Sequence, residues 1–207
     1  MNNERKNRKE QAVSPVVGVM LMLVVTIIIA AVVSAFAGGL TSGTQKAPQA
    51  VIDATITRGD NGMGVVNTSI DFKLVSGDSL NTKDLSIITY YTNKSGITLK
   101  HEQTASSPVV DLYQGTAYSP YNSRVPYLNN IGKGWANGVD LHFGNFTWVP
   151  GDKISTGNDF GTASLLGMGS IDGHILDPDL TTGSIVDVKI LHVPSGKYIL
   201  DKEVVAS

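Results

Sequence analysis

Residues 16–40 are 25 in a row with only two polar side chains, Thr26 and Ser34. As an α-helix the run is about 37 Å long, enough to cross a hydrocarbon core of roughly 30 Å with some tilt. It is apolar on every face, so it cannot lie on the surface of a soluble domain. Leaving it in water would cost on the order of tens of kcal/mol at about 25 cal/mol per Å² of apolar surface. Such a segment must sit in lipid or among other helices.

Its flanks give it a direction. Residues 1–12 hold Arg5, Lys6, Arg8 and Lys9 against Glu4 and Glu10, whereas no charged side chain occurs between Gln11 and Gln45. Basic residues before the run predict a cytoplasmic N-terminus and an exported C-terminal part. Ser14 can cap the first free N–H groups of the helix, and Pro15 fits the first turn, where its missing N–H costs nothing. Proline also turns Ser14 away from the α region, so the peptide bonds around Ala12-Val13 should be extended and open to a protease at the membrane face. Ala30, Ser34 and Gly38 form one row of small residues and Ala31, Ala35 and Gly39 another. With Gly18 nearer the start, they are candidates for close helix packing. The segment has three possible fates. Ala35-Phe36-Ala37 spells a signal-peptidase site, although the apolar run exceeds the 7–15 residues of a signal core. The run could equally be a permanent single-span anchor, or a helix retained after a leader is cut on the cytoplasmic side.

The stretch Gln11-Ala12-Val13-Ser14-Pro15-Val16-Val17-Gly18-Val19-Met20-Leu21-Met22 resembles the start of archaeal type IV pilins. The resemblance implies a leader of residues 1–12, cleavage between Ala12 and Val13 by a membrane prepilin peptidase, and a retained helix over 13–40. It further implies a filament assembled from copies of the protein by an assembly ATPase and a membrane platform protein. Bacterial type IV pilins carry a glutamate at the fifth mature position. Val17 stands there in this sequence, so a pairing of that glutamate with the neighbouring amine is not available.

Beyond the run, residues 41–49 read as a linker rich in Gly, Ser and Thr. Alternating apolar and polar residues then predict antiparallel strands near 51–57, 70–75, 85–91, 97–101, 109–113, 139–143, 185–193 and 198–205. Turn clusters such as Ser76-Gly77-Asp78 and Pro150-Gly151-Asp152 lie between them. The fold class expected is α+β, with a long hydrophobic helix followed by an immunoglobulin-like β-sandwich head over 50–207. Ser76-Gly77-Asp78-Ser79-Leu80, Trp148-Val149-Pro150-Gly151-Asp152 and the terminal hairpin around Pro194-Ser195-Gly196 look like features of archaeal pilin heads. Residues 105–140 and 155–183 read as long loops, the first holding Tyr113, Tyr118, Tyr121 and Tyr127.

Composition excludes several chemistries. There is no cysteine, which removes disulfides, thiolate metal sites and cysteine nucleophiles. The formal charge of −2 lacks the basic excess that nucleic-acid binding needs. Gly77-Asp78-Ser79-Leu80 spells the GDSL of a hydrolase family, but no aspartate lies three residues before any of the four histidines to complete that family's D-x-x-H. His101, His142, His174 and His192 form no i,i+4 pair, so no zinc site is expected. Asp177, Asp179, Asp152 and Asp159 lie in no EF-hand loop, and Arg58-Gly59-Asp60 is a turn by default. Sequons for N-glycosylation occur at Asn67, Asn93 and Asn145. Catalytic residues, metals and cofactors are not expected. The expected function is that of a filament subunit serving adhesion, a membrane precursor that becomes extracellular. The alternative is a single-span anchored or secreted binding protein with the same head.

Overall fold

A computed structural model describes residues 15–41, 45–60, 66–93, 95–112, 122–130, 132–134, 138–168 and 180–207. The protein divides into two compact units, Met1–Thr44 and Gln45–Ser207. In the first, one helix, α1, runs unbroken over Pro15–Thr41. No charged residue occupies either end of it, as expected of a helix whose surroundings are apolar rather than aqueous.

In sequence order the second unit contains β1 (Ala50–Asp60), β2 (Val66–Gly77), β3 (Leu80–Asn81), β4 (Leu85–Thr92), β5 (Thr98–Gln103), β6 (Val110–Asp111), β7 (Asn122–Ser123), β8 (Tyr127–Leu128), β9 (Thr147–Trp148) and β10 (Lys153–Ser155). A short helix, α2 (Asp159–Leu166), follows, and β11 (Ile185–His192) and β12 (Lys197–Val205) close the unit. One sheet has the order β1-β2-β10-β8 and the other β12-β11-β4-β5, every neighbour antiparallel. If these eight strands take the letters A, B, C, C′, D, E, F and G in sequence order, the sheets read A-B-E-D and G-F-C-C′. That is the strand order of an immunoglobulin-type sandwich with one added strand. At one edge the sheets meet, because Ile56 and Ala206 form a parallel bridge between β1 and the end of β12. It is held by Arg58 N–H to the Ser207 carbonyl at 2.9 Å and Ser207 N–H to the Ile56 carbonyl at 3.1 Å.

Strand alternation builds the core. Ile52, Ala54 and Ile56 of β1 and Ile70, Phe72 and Leu74 of β2 point inward, against Leu85, Ile87 and Tyr91 of β4 and Val186, Val188 and Ile190 of β11. Where antibody domains place an inter-sheet disulfide, this head has close-packed aliphatic and aromatic side chains. Trp148 is fully buried, and its indole N–H donates to the Asp152 carbonyl at 3.1 Å, closing the Trp148–Asp152 turn.

Several expectations need correction. Residues 139–143 form a 3₁₀ turn over Val139–Leu141 rather than a strand. Burial does not alternate there, because Val139 is exposed while Leu141, His142 and Phe143 are buried in a row, and Gly144 at φ +96° bends the backbone close against Ala105. Arg58-Gly59-Asp60 lies inside β1 rather than in a turn. The loop expected over 155–183 contains α2. Asn158 caps α2 by accepting the Gly161 N–H at 3.1 Å, and Gly167 closes it. Of the strand expected over 109–113, two residues pair, and Tyr113 lies outside the described residues.

Candidate functional site

The apolar helix is the first candidate. Side chains 15–36 are all exposed, from 45% at Val25 to 71% at Met22 among its large apolar residues. Pro15–Phe36 is long and apolar enough to cross a membrane. Of its two polar groups, the Thr26 hydroxyl donates to the Leu23 carbonyl at 2.8 Å, so it needs no partner from outside the helix. The Thr26 hydroxyl therefore costs the helix little in lipid or in a dry helical bundle.

The small residues named from the sequence share this one helix. At 3.6 residues per turn, Ala30 and Ser34 stack along one face with Gly38, and Ala31 and Ala35 with Gly39. A Cβ at Gly18 would meet nothing within 4 Å, so packing within the protein does not require a glycine there. The cleavage residues Ala12 and Val13, and the cap Ser14, lie outside the described residues.

The head begins at a clamp. Gln49 N–H donates to Asp78 Oδ2 at 2.9 Å, and Asp78 N–H donates to the Gln49 carbonyl at 2.7 Å. Gly77, at φ +106°, has the Gln49 carbonyl where a Cβ would stand, only 2.2 Å away. Gly77-Asp78-Ser79-Leu80 is therefore a structural turn that ties the start of β1 to the end of β2. Ser79 is exposed on it.

The remaining candidates are structural as well. His192 Nδ1 lies 2.8 Å from Ser195 Oγ in the β11–β12 turn, and His101 Nδ1 lies 3.1 Å from the Leu165 carbonyl. His142 is buried, and His174, Asp177 and Asp179 lie outside the described residues. Asp152 pairs with Lys133 at 3.3 Å. Asp159, at the start of α2, accepts the Thr68 N–H. Burial pushes its carboxyl above the ordinary carboxylate range, against the Thr68 hydrogen bonds and the charge of Arg58, which pull it down. Among the described residues no three His, Asp or Glu side chains gather as a metal site. Tyr127 is half-buried against the core, and Tyr118 and Tyr121 lie outside the described residues.

The three sequons differ in setting. Asn67, in β2, is half-buried and its Oδ1 accepts the Asp159 N–H at 3.2 Å. Asn145 is exposed, but its Nδ2 donates to the Val139 carbonyl at 2.8 Å. Asn93 sits in the β4–β5 turn, where its Oδ1 accepts the Ile97 N–H at 2.8 Å.

Residues 11–52 match a family model described as archaeal type IV pilin, N-terminal. The match covers the residues flanking the helix start, the whole of α1, the connecting stretch and the first residues of β1. No curated protein and no solved structure matches the sequence.

Proposed function

The protein has the N-terminal domain of an archaeal type IV pilin, and from that premise we propose that it polymerises through α1 into an extracellular filament used in adhesion. Pilins are structural subunits, not enzymes, and they self-assemble. The observation that carries the reading is α1 itself, apolar on all faces, with its Thr26 hydroxyl already satisfied and its described side chains unburied.

The precursor waits in the membrane with residues 1–12 in the cytoplasm and the head outside. A prepilin peptidase cuts between Ala12 and Val13. An assembly ATPase and a membrane platform protein then move α1 from lipid into the filament. Physically this is an exchange of one apolar surrounding for another. Contacts with lipid tails are replaced by contacts with identical helices, so the net free energy per subunit can be small. Small residues such as Gly18, Ala30, Ala31, Ser34, Ala35, Gly38 and Gly39 favour close approach of the helices. The leader must leave first, because Arg5, Lys6, Arg8 and Lys9 could not enter a dry bundle without large unpaired-charge costs. The heads then face water and meet the surfaces to which the cell attaches.

Mass spectrometry of the mature N-terminus tests the first step. A product beginning at Val13 supports the pilin reading, one beginning at Gly38 means a cleaved signal peptide, and an intact leader means an anchor. Electron microscopy of filaments sheared from the cell surface tests the second. Filaments built without residues 16–40 in their interior overturn the proposal.

A further inference from the structure

We propose that β5 is a self-pairing edge through which heads on two filaments join, the β5 of one adding antiparallel to the β5 of the other. The inference rests on the filament reading above. β5 is the last strand of its sheet and pairs on one side only, with β4. The opposite edges of the two sheets are closed on each other, because β1 and the end of β12 are bonded at Ile56 and Ala206. The remaining outer strand, β8, is two residues long. β5 has six.

The hairpin before β5 settles which of its backbone groups face outward. Asn93 N–H donates to the Ile97 carbonyl at 2.9 Å, and Gly96 N–H donates to the Asn93 carbonyl at 2.9 Å, so Asn93 and Ile97 form a hydrogen-bonded pair. Such pairs recur at every second position of the register, at Tyr91 with Leu99, Thr89 with His101 and Ile87 with Gln103. Lys100 and Glu102 therefore turn their N–H and C=O groups away from β4. Among the described residues nothing bonds to those groups.

Side chains decide what pairs there. Lys100 and Glu102 are both exposed and, two apart on a strand, share one face. Lys100 Nζ lies 5.7 Å from the centre of the Tyr90 ring, and Glu102 Oε1 accepts from Ser86 Oγ at 2.6 Å. Neither forms an ion pair among the described residues. A lysine on an edge ordinarily deters pairing. Here the glutamate reverses that effect. With a two-fold axis through His101, Lys100 stands opposite Glu102 of the second copy, and Glu102 opposite its Lys100. These are the residues with outward-turned backbone groups, so each pair also exchanges two N–H···O=C bonds. Moving the axis to Lys100 or to Glu102 sets like charges face to face, which destabilises a cross-strand pair.

An interface of this kind closes as a pair, because each β5 is occupied by one partner. Neighbours along one filament are related by a screw operation rather than by a two-fold axis. The pair therefore joins heads of different filaments, and the partner is a second copy of this chain. So short a ladder is weak by itself and becomes strong through the repetition of heads along two filaments.

The test uses filaments of the full-length protein sheared from the cells that produce it, scored for bundles by electron microscopy and by low-speed pelleting. Wild-type filaments are expected to bundle. Lys100→Glu and Glu102→Lys each set like charges opposite one another twice. Each should give filaments in normal yield and lower the pelleted fraction about tenfold. Bundling should return in the double variant Lys100→Glu/Glu102→Lys, and also when filaments of the two single variants are mixed. The chain has no cysteine of its own. His101 faces its counterpart with Cα atoms about 4.5 Å apart, so His101→Cys should yield a disulfide-linked dimer on non-reducing gels. Wild-type filaments that stay single, single variants that bundle like the parent, or a double variant that stays dispersed overturn the self-pairing and leave the filament reading intact. Bundles of His101→Cys without the disulfide overturn the register. A chain that forms no filaments overturns the filament reading, and the His101→Cys dimer then reports the pairing by itself.

Discussion

Thr26→Lys separates the two surroundings proposed for α1. Thr26 stands near the middle of the candidate span Pro15–Phe36, and its hydroxyl is satisfied by Leu23. The span holds thirteen Val, Leu, Ile and Phe residues, which favour insertion by about 4–8 kcal/mol in total at roughly 0.3–0.6 kcal/mol each. A lysine at the centre costs about 2.5–3.5 kcal/mol on the same scale, because its long stem reaches toward the interface and draws in water. Insertion therefore survives the substitution. A filament core offers no such escape, and a charge buried there without a partner costs several kcal/mol for every subunit. The expected outcome is a precursor that is inserted and cut normally but yields no filaments. Membrane fractionation with immunoblotting reads the first two properties, and electron microscopy of sheared surface material reads the third. Thr26→Val is the companion variant. It removes a hydroxyl that bonds only within its own helix, so filament yield should stay near that of the parent. Filaments of normal abundance from Thr26→Lys would refute the burial of α1 in the polymer.

Ala12→Trp should leave uncut precursor in the membrane, seen as a slower band on immunoblots; normal processing of that variant overturns the assigned bond. Gly77→Ala places a methyl group against the Gln49 carbonyl at a positive φ, so it should destabilise the head by about 1–3 kcal/mol in urea denaturation; no loss would mean that the turn relaxes freely. Trp148→Ala empties a fully buried site and should cost about 3–5 kcal/mol by the same measurement; a loss under about 1 kcal/mol would contradict its place in the core. Asp159 has a carboxyl raised by burial, so its contribution to stability is fully present below the ordinary carboxylate pKa and is lost as pH rises through the raised folded value. The stability difference between wild type and Asp159→Asn should accordingly shift against wild type from pH 3 to pH 7; a difference independent of pH, or moving the other way, refutes the burial argument.

The parts of this architecture legible in the sequence are those where one physical demand overrides all others. No soluble fold accommodates 25 residues without charge and nearly without polarity, so α1 was readable to within a residue or two of its observed ends. The long strands β1, β2 and β11 were readable because each carries a sustained alternation, whereas β4, buried throughout Leu85–Thr89, and β12, with Tyr198, Ile199 and Leu200 in a row, keep it only in part. What escaped lacks such a period. The eight residues of α2 are buried on nearly every side, including Gly161, Thr162, Ala163, Leu165 and Leu166, so no amphipathic stripe marks them. Their one local signal was an asparagine that caps at 158 and a glycine at 167 that stops the helix. The two- and three-residue strands β6 to β10 are set by tertiary pairing alone. Residues 139–143 alternate in sequence, with apolar Val139, Leu141 and Phe143, but the backbone makes a tight turn, which leaves Val139 exposed and buries Leu141, His142 and Phe143 together.

On the proposed reading the helix changes surroundings, and the sandwich bears on how it could do so without refolding of the head. Every residue of the buried hydrophobic cluster lies between Ile52 and Ala206, within the second unit. Both ends of the head sequence are pinned within that unit. Gln49 is clamped to Asp78, and Ser207 is bonded through its N–H and carbonyl to Ile56 and Arg58. On the proposed reading, moving α1 from lipid into a bundle changes the contacts of the helix, while the buried cluster of the head is built from the head's own residues. A helix that contributed to that core would have to be released at every addition of a subunit, at a cost of several kcal/mol for each large side chain withdrawn. The division of labour follows from that comparison. On the proposed reading, an apolar helix with its Thr26 hydroxyl satisfied internally supplies the polymerising surface, and the head, with a core of its own residues, supplies the outer surface.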